Sequence, residues 1–386
     1  MVVGAQDYHE GRNQDPASVG VQALDKLTLE VKLVNPVAYF PYVMYTDISF
    51  PLPRQPIERF GDDWWRPEHI ISNGAFRLAE LDPETGFILD RNPDYHGEFL
   101  GNIQRIEMIL LDNQTERNHA YLENRVDFTF SREAISTEMS PAEKYAVRNL
   151  SVRFLLINPL FQPLDDVRVR RALSLALDRS KLFKELSFRP AYGGIIPPGM
   201  AGHSPDIGLS YDPETARRLL AEAGYPNGQG FQVLKGIVPY NIEAYASEIL
   251  SQFQIELGIE AEVDIRNRPM SLFQNYSFAL LSSIADYPDP DNFLRQSNIN
   301  YCLKKAGWQD VELDDLLETA AGFTDRSQRL ALYRRADHLF VTERVLVIPT
   351  NYEDSGLIYL AKPWVKNFKF NLLGHFRYSN IIIEDH

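Results

Sequence analysis

Apolar side chains at Leu27, Leu29, Val31 and Leu33 alternate with polar neighbours, the two-residue period of a strand with one face buried. The spacing predicts a half-buried strand within residues 20–34. Shorter strands are predicted at 75–81, 86–91, 103–111 and 126–130, punctuated by Asn73-Gly74 and by Asn92-Pro93-Asp94. One helix, 114–124, interrupts them. The first third of the chain thus reads as an antiparallel or mixed sheet region.

From about residue 165 the rhythm becomes helical. Asp212 stands as an N-cap with Pro213 at the first helical position, and Ala216, Leu219, Leu220 and Ala223 form one apolar stripe. Gly224 and Pro226 stop it. A strand is predicted at 231–238, an amphipathic helix at 242–257 (Ile242, Tyr245, Ala246, Ile249, Leu250, Phe253) closed by Gly258, and a further strand at 259–265. Strand, helix and strand imply a parallel crossover of right-handed sense. Helices at 312–322 and 325–342 precede an apolar strand at 345–349. There is no 20- to 50-residue repeat. The expected organisation is a sheet-rich lobe (1–157), an α/β lobe (158–350) and a return to the first lobe (351–386), with 152–158 and 346–352 as the crossings. A ligand is expected in the cleft between lobes.

Composition narrows the function. The 386 residues, 44% hydrophobic, suffice for two to three domains. Thirty-nine Lys and Arg against 53 Asp and Glu give a formal charge of −14, which disfavours a grip on nucleic acid or anionic lipid. The single cysteine, Cys302, excludes an internal disulfide and a multi-thiolate metal site. The first 30 residues show neither the basic nor the apolar region of a secretory signal, and the most apolar run, 278–285, is far short of the ~18 residues that a spanning helix needs.

The chemistry of catalysis is hard to find. The eight histidines show no H-x-H or H-E-x-x-H spacing, and the chain lacks G-x-S-x-G, G-x-x-x-x-G-K-[ST] and G-x-G-x-x-G. No enzymatic activity, metal or cofactor is expected. The unusual segment is Asp286-Tyr-Pro-Asp-Pro-Asp-Asn-Phe293, three carboxylates and two prolines directly after an apolar strand. It does not fit the ligand series of an EF-hand, and its spacing gives no reason to expect a glycosidase pair. Two readings stand: a carboxylate aimed at a cationic ligand group such as an ammonium, or a solvated proline turn with a helix N-cap at Asp289 or Asp291.

Taken together, several segments resemble the extracytoplasmic oligopeptide- and dipeptide-binding proteins of ABC importers, solute-binding protein family 5. They are Gly20-Val-Gln-Ala-Leu-Asp-Lys-Leu-Thr-Leu-Glu-Val31, Ser72-Asn-Gly-Ala-Phe-Arg-Leu78, Arg91-Asn-Pro-Asp-Tyr-His-Gly97, the run Asp165 to Arg179, the run Tyr211 to Pro226, Ala285-Asp-Tyr-Pro-Asp-Pro-Asp-Asn-Phe-Leu294 and Lys362-Pro-Trp-Val365. The resemblance implies an α/β fold of the two-lobed periplasmic binding protein type II-like class, with mixed sheets flanked by helices. It implies a peptide ligand closed between the lobes, a membrane permease as partner and a periplasmic or extracytoplasmic location. Asp286 falls at the position whose carboxylate pairs with the peptide's amino terminus. Tyr287, Ser283, Ser131, Arg132 and Phe154 are the further candidate ligand-binding residues.

Against this family the chain starts where the first lobe is re-entered, so that lobe is expected to be incomplete. A separate chain supplying the missing N-terminal strands is an expected partner. Ser283 stands where relatives often carry a tryptophan. The alternative expectation is a degenerate or truncated binding domain serving as a protein-interaction or ligand-sensing module. A further one is transport of another solute, such as a sugar or a nickel or haem complex.

Overall fold

A computed structural model describes residues 1–131, 144–146, 149–182, 189–240, 242–267, 269–295, 297–352, 358–371 and 373–386. Two compact units emerge. The larger comprises Met1–Thr46, Leu150–Lys184 and Arg189–Tyr352; the smaller is built from Asp47–Asn149 and Glu353–His386.

At the centre of the larger unit is a six-stranded mixed sheet in the order Ala261–Ile265, Leu234–Val238, Phe278–Ile284, Ser151–Ile157, Val347–Tyr352, Arg189–Pro190. Leu234–Val238 runs parallel to both of its neighbours, and the helix Glu243–Leu257 connects it to Ala261–Ile265, the crossover that the pattern predicts. The remaining pairings are antiparallel, with Leu281 opposite Phe154 and Val347 opposite Leu156. Alternate residues face opposite sides of a sheet, and here both sides are covered. Leu155, Ile157, Phe278, Leu280 and Ile348 join one core with Val169 and Leu173, Ala216 and Leu220, and Ile249 and Phe253 from three helices. Phe154, Leu156, Ala279, Leu281 and Val347, between them in sequence, are buried as well. This is why 154–157 and 278–281 read as continuous apolar runs. Each large side chain withdrawn from water this way stabilises the fold by about 1.5–3 kcal/mol before conformational entropy is counted.

The helices begin and end as their sequences direct. The Asp212 side chain accepts the Thr215 N–H at 3.0 Å, with Pro213 at the first position of Pro213–Glu222. Gly258, at φ 69°, closes Glu243–Leu257 in the left-handed conformation that glycine adopts without steric cost. Within the sheet, Gly236 pairs with Phe278 and lies so close to it that a Cβ would stand 2.1 Å from the ring.

Among the described residues, two buried arginines have no carboxylate partner. Arg170 donates to the carbonyls of Arg344, Leu164 and Asp165, and Arg179 to those of Pro349 and Leu209 and to the Ser174 hydroxyl. Both guanidiniums therefore staple backbone from distant parts of the chain.

The predicted strand at 20–34 is corrected to a hairpin, Val21–Ala23 against Leu29–Val31. The Asp25 carboxylate accepts the Leu27 N–H at 2.8 Å and the Thr28 hydroxyl at 2.9 Å, which bends the chain and leaves Leu27 99% exposed. The expected stretch 1–157 is also divided, because Met1–Thr46 clusters with the larger unit. Tyr39, wholly buried, ties it there by stacking on Tyr287.

In the smaller unit Phe76–Asp82, Gly86–Arg91 and Arg105–Ile109 form an antiparallel meander. The Asn92 side-chain amide donates to the carbonyls of Ser72 and Gly74, fixing the turn before it. Asn113 caps the helix Gln114–Leu122. The helix Arg54–Phe60, which the pattern does not predict, also belongs to this unit. A second sheet places Ile358–Ala361 between Phe128–Ser131 and Lys144–Ala146. Beside it Phe128, Tyr359, Phe368, Phe376 and Tyr378 meet in tilted and edge-on contacts.

Candidate functional site

The strand Phe278–Ile284 is hydrogen-bonded on both sides, and its last tie to the sheet is the Ala285 N–H donating to Leu150 O at 2.8 Å. The chain then leaves the sheet through Asp286, Tyr287 and Pro288 and enters the short helix Pro290–Leu294, capped by Asp289. Of the two capping positions the sequence allows, the structure uses Asp289, whose carboxylate accepts the Asp291 N–H at 3.0 Å.

The three carboxylates of this loop meet very different surroundings. Asp289 is buried and receives two hydrogen bonds from Arg329, at 2.7 and 2.5 Å. Asp291, wholly buried, accepts from Arg295 at 2.7 Å, from the Tyr333 hydroxyl at 2.6 Å and from the Tyr287 hydroxyl at 3.3 Å. Each negative charge is thus answered by a guanidinium, the arrangement that lets a buried carboxylate stay ionised. Asp286 is exposed. Its contacts are with Asn292, whose amide nitrogen donates to the carboxylate at 3.3 Å while its amide oxygen accepts the Asp286 N–H at 3.1 Å. Among the described residues Asp286 makes no ion pair.

Aromatic hydroxyls surround the paired acids. Tyr287 is 8% exposed, and burial, reinforced by the Asp291 charge, holds its hydroxyl far above the usual phenol range. The Tyr333 hydroxyl is raised for the same two reasons. Tyr39 lies parallel to Tyr287 at 5.0 Å, accepts a hydrogen bond from Arg295 at 2.5 Å and is pushed up to about 12, chiefly by burial. All three stay neutral donors or acceptors at physiological pH.

Of the candidate residues, Ser283, Asp286 and Tyr287 lie on this one strand and loop. The Ser283 hydroxyl is withdrawn from solvent and has no hydrogen-bond partner among the described residues. Phe154 is wholly buried in the adjacent strand, opposite Leu281 and Pro349, in the packed interior of the sheet. Ser131 ends the strand Phe128–Ser131 of the smaller unit, where its backbone pairs with Ile358. Arg132 lies outside the described residues. No group of three or more potential metal ligands occurs among the described residues, and no described helix is long and apolar enough to cross a membrane.

Sequence reasoning missed Tyr39, Asn292, Arg295, Arg329 and Tyr333. Two signals were present: Asp291 and Arg295, and Arg329 and Tyr333, stand four apart, the spacing of neighbours on a helix. Nothing local connects Tyr39 to a loop roughly 250 residues later.

Comparison with known proteins places this geometry in context. The chain is 29% identical over 382 residues to the probable deoxycholate-binding periplasmic protein YgiS of Escherichia coli (strain K12), covering 95% of this chain and 70% of the relative. It is 27% identical over 393 residues to the periplasmic oligopeptide-binding protein OppA of the same strain, with the same coverage. Among solved structures, the oligopeptide-binding protein OppAIV of Borrelia burgdorferi superposes with a TM-score of 0.76 at 26% identity, covering 98% of this chain and 78% of that one. The unliganded open form of the murein tripeptide-binding protein MppA gives 0.80 at 22% identity, covering 100% and 77%, and shares the fold. The profile of bacterial extracellular solute-binding proteins, family 5 Middle, matches residues 3–314, and the chain belongs to that family.

Proposed function

We propose that the chain is the peptide-binding component of an ABC importer and that Asp286 holds the ligand's free amino terminus. The observation that carries this reading is that Asp286 alone, of the three carboxylates in its loop, has no cation paired with it among the described residues. An ammonium would supply the charge-assisted hydrogen bonds that Arg329 and Arg295 supply to its neighbours. Relatives named as oligopeptide-binding proteins support the same ligand class. The reading includes delivery to a membrane permease, an extracytoplasmic location and no catalytic step.

Main-chain hydrogen bonds would take up the peptide backbone, and water would mediate contacts to its side chains, a scheme that tolerates many sequences. The unpartnered Ser283 hydroxyl is a donor and acceptor within the same strand and loop. A bile-acid ligand, as named for the YgiS relative, has no amine and carries a carboxylate of its own. The uncompensated charge of Asp286 opposes it, so deoxycholate serves as the negative control.

Calorimetric titration with trialanine tests the reading. Asp286→Ala should weaken binding by about 2–5 kcal/mol, and N-acetyl trialanine should bind the wild-type chain correspondingly less tightly. Equal affinity for both peptides in the wild type would remove Asp286 from the site.

A further inference from the structure

An anchoring carboxylate is useful only if the ligand does not have to order it on arrival, since each side chain immobilised during binding subtracts from affinity. Asp286 is exposed, and its one side-chain contact is the 3.3 Å hydrogen bond from Asn292. Its backbone is held by its own N–H, donated to the Asn292 side-chain oxygen at 3.1 Å, and by its two chain neighbours. On one side Ala285 is tied to Leu150 at the end of the sheet. On the other stands Tyr287, whose ring is fixed by two contacts, the hydroxyl on Asp291 and a flat stack against Tyr39 at 5.0 Å with planes 8° apart.

Tyr39 is well placed to hold the Tyr287 ring. It is 0% exposed and sits immediately before the short helix Phe40–Val43. Its hydroxyl accepts from Arg295, the residue that neutralises Asp291, and its ring lies 5.7 Å from the Arg329 guanidinium, which neutralises Asp289. One side chain, distant in sequence, thus meets Tyr287 and both cations of the loop. The Tyr39 stack and the Asp291 hydrogen bond together hold the Tyr287 ring.

We infer that Tyr39 is a positioning residue for the ligand anchor: it touches no ligand, and through Tyr287 it fixes the backbone from which the Asp286 carboxylate projects. This rests on the reading of Asp286 as the partner of the peptide amine. Loss of Tyr39 should therefore erode the preference for a free amine, not merely the stability of the fold.

The test compares trialanine with N-acetyl trialanine on the full chain, by calorimetry at pH 7, in the wild type and in Tyr39→Leu, Tyr39→Phe and Asp286→Ala. Tyr39→Leu, which loses both stacking and hydroxyl, should bind trialanine about tenfold more weakly, with the affinity for the acetylated peptide unchanged. Tyr39→Phe keeps the stack and should fall between the two. Equal weakening for both peptides would make Tyr39 a packing residue and overturn the inference, even with Asp286→Ala behaving as an anchor variant. If Asp286→Ala binds trialanine like the wild type, the reading of the anchor fails and the inference falls with it. Should the Leu variant not fold, amide hydrogen exchange in Tyr39→Phe decides: faster exchange confined to 285–292 supports the positioning role, and exchange that is unchanged there, or raised equally in 153–157, overturns it.

Discussion

Arg329 grips Asp289 through both terminal nitrogens, at 2.7 and 2.5 Å, with each side chain more than nine-tenths buried. Three residues earlier Asp286 projects from the same loop with no such partner among the described residues. Proximity in sequence therefore says little about role. Two of the loop's acids pair with arginines within the fold, and the third is exposed.

The contrast sets opposite outcomes for neighbouring substitutions. Arg329→Met leaves Asp289 buried and uncompensated, and should destabilise the chain by about 3–5 kcal/mol. Asp286→Asn, at an exposed position without an ion pair, should stay within about 0.5 kcal/mol of the wild type. Urea unfolding with matched m-values measures both, and a large loss in Asp286→Asn would mean that the carboxylate has a structural partner.

Arg179 donates to the carbonyls of Pro349 and Leu209, which come from separate parts of the larger unit. Burial pushes its guanidinium down to about 10, so it remains charged at neutral pH. A lysine concentrates its donors on one nitrogen and cannot span these acceptors. Arg179→Lys should cost about 2–4 kcal/mol by leaving buried carbonyls unpaired. Thermal unfolding of that variant at the wild-type temperature would show the staple to be dispensable.

Gly236 lacks a side chain because the Phe278 ring occupies the space, 2.1 Å from where a Cβ would stand. Gly236→Ala should destabilise the sheet by about 1–3 kcal/mol through overpacking. Phe278→Leu in the same chain should recover part of the loss, the signature of a direct steric pair in a double-mutant cycle. Strict additivity of the two changes would place the cause elsewhere.

Asp337 gives the pH prediction. Its carboxylate is wholly buried and accepts the Ile195 N–H at 2.8 Å, its second oxygen has no partner among the described residues, and burial pushes it up to about 7. A raised folded-state value means that the folded chain keeps a proton that the unfolded chain releases. The associated stability is fully present below the unfolded value near 3.8 and is lost as pH rises to about 7, after which it is constant. Relative to Asp337→Asn, the wild type should lose on the order of 4 kcal/mol across that window. Melting curves from pH 4 to 8 measure the difference, and a flat or rising one contradicts the assignment.

The sequence disclosed what depends on neighbours along the chain. The helix Pro213–Glu222, with Asp212 at its cap and Gly224 beyond its end, and the helix Glu243–Leu257, closed by Gly258, are written in local spacing. So is the loop at 286–293, since three acids and two prolines after an apolar strand stand out without any structure. The hairpin turn at Asp25 was misread because the alternation of Leu27 and Leu29 continues through it, while a side-chain carboxylate decides the bend. The division of labour among Asp286, Asp289 and Asp291 is legible only in the four-residue spacing of Asp291 and Arg295. The rest is set by Arg329 and by tyrosines at 39 and 333, which reach the loop from distant parts of the chain, and no local spacing records that they meet it.

The pairing of Ser151–Ile157 with Val347–Tyr352 also has a consequence in time. About 190 residues separate the two strands, so at 5–20 residues per second a ribosome needs roughly 10–40 s to deliver the second after the first. For that interval the run Val152-Arg-Phe-Leu-Leu-Ile157 has a free edge on that side. The strand beside the candidate anchor is thus the segment that a nascent chain must be kept from pairing wrongly.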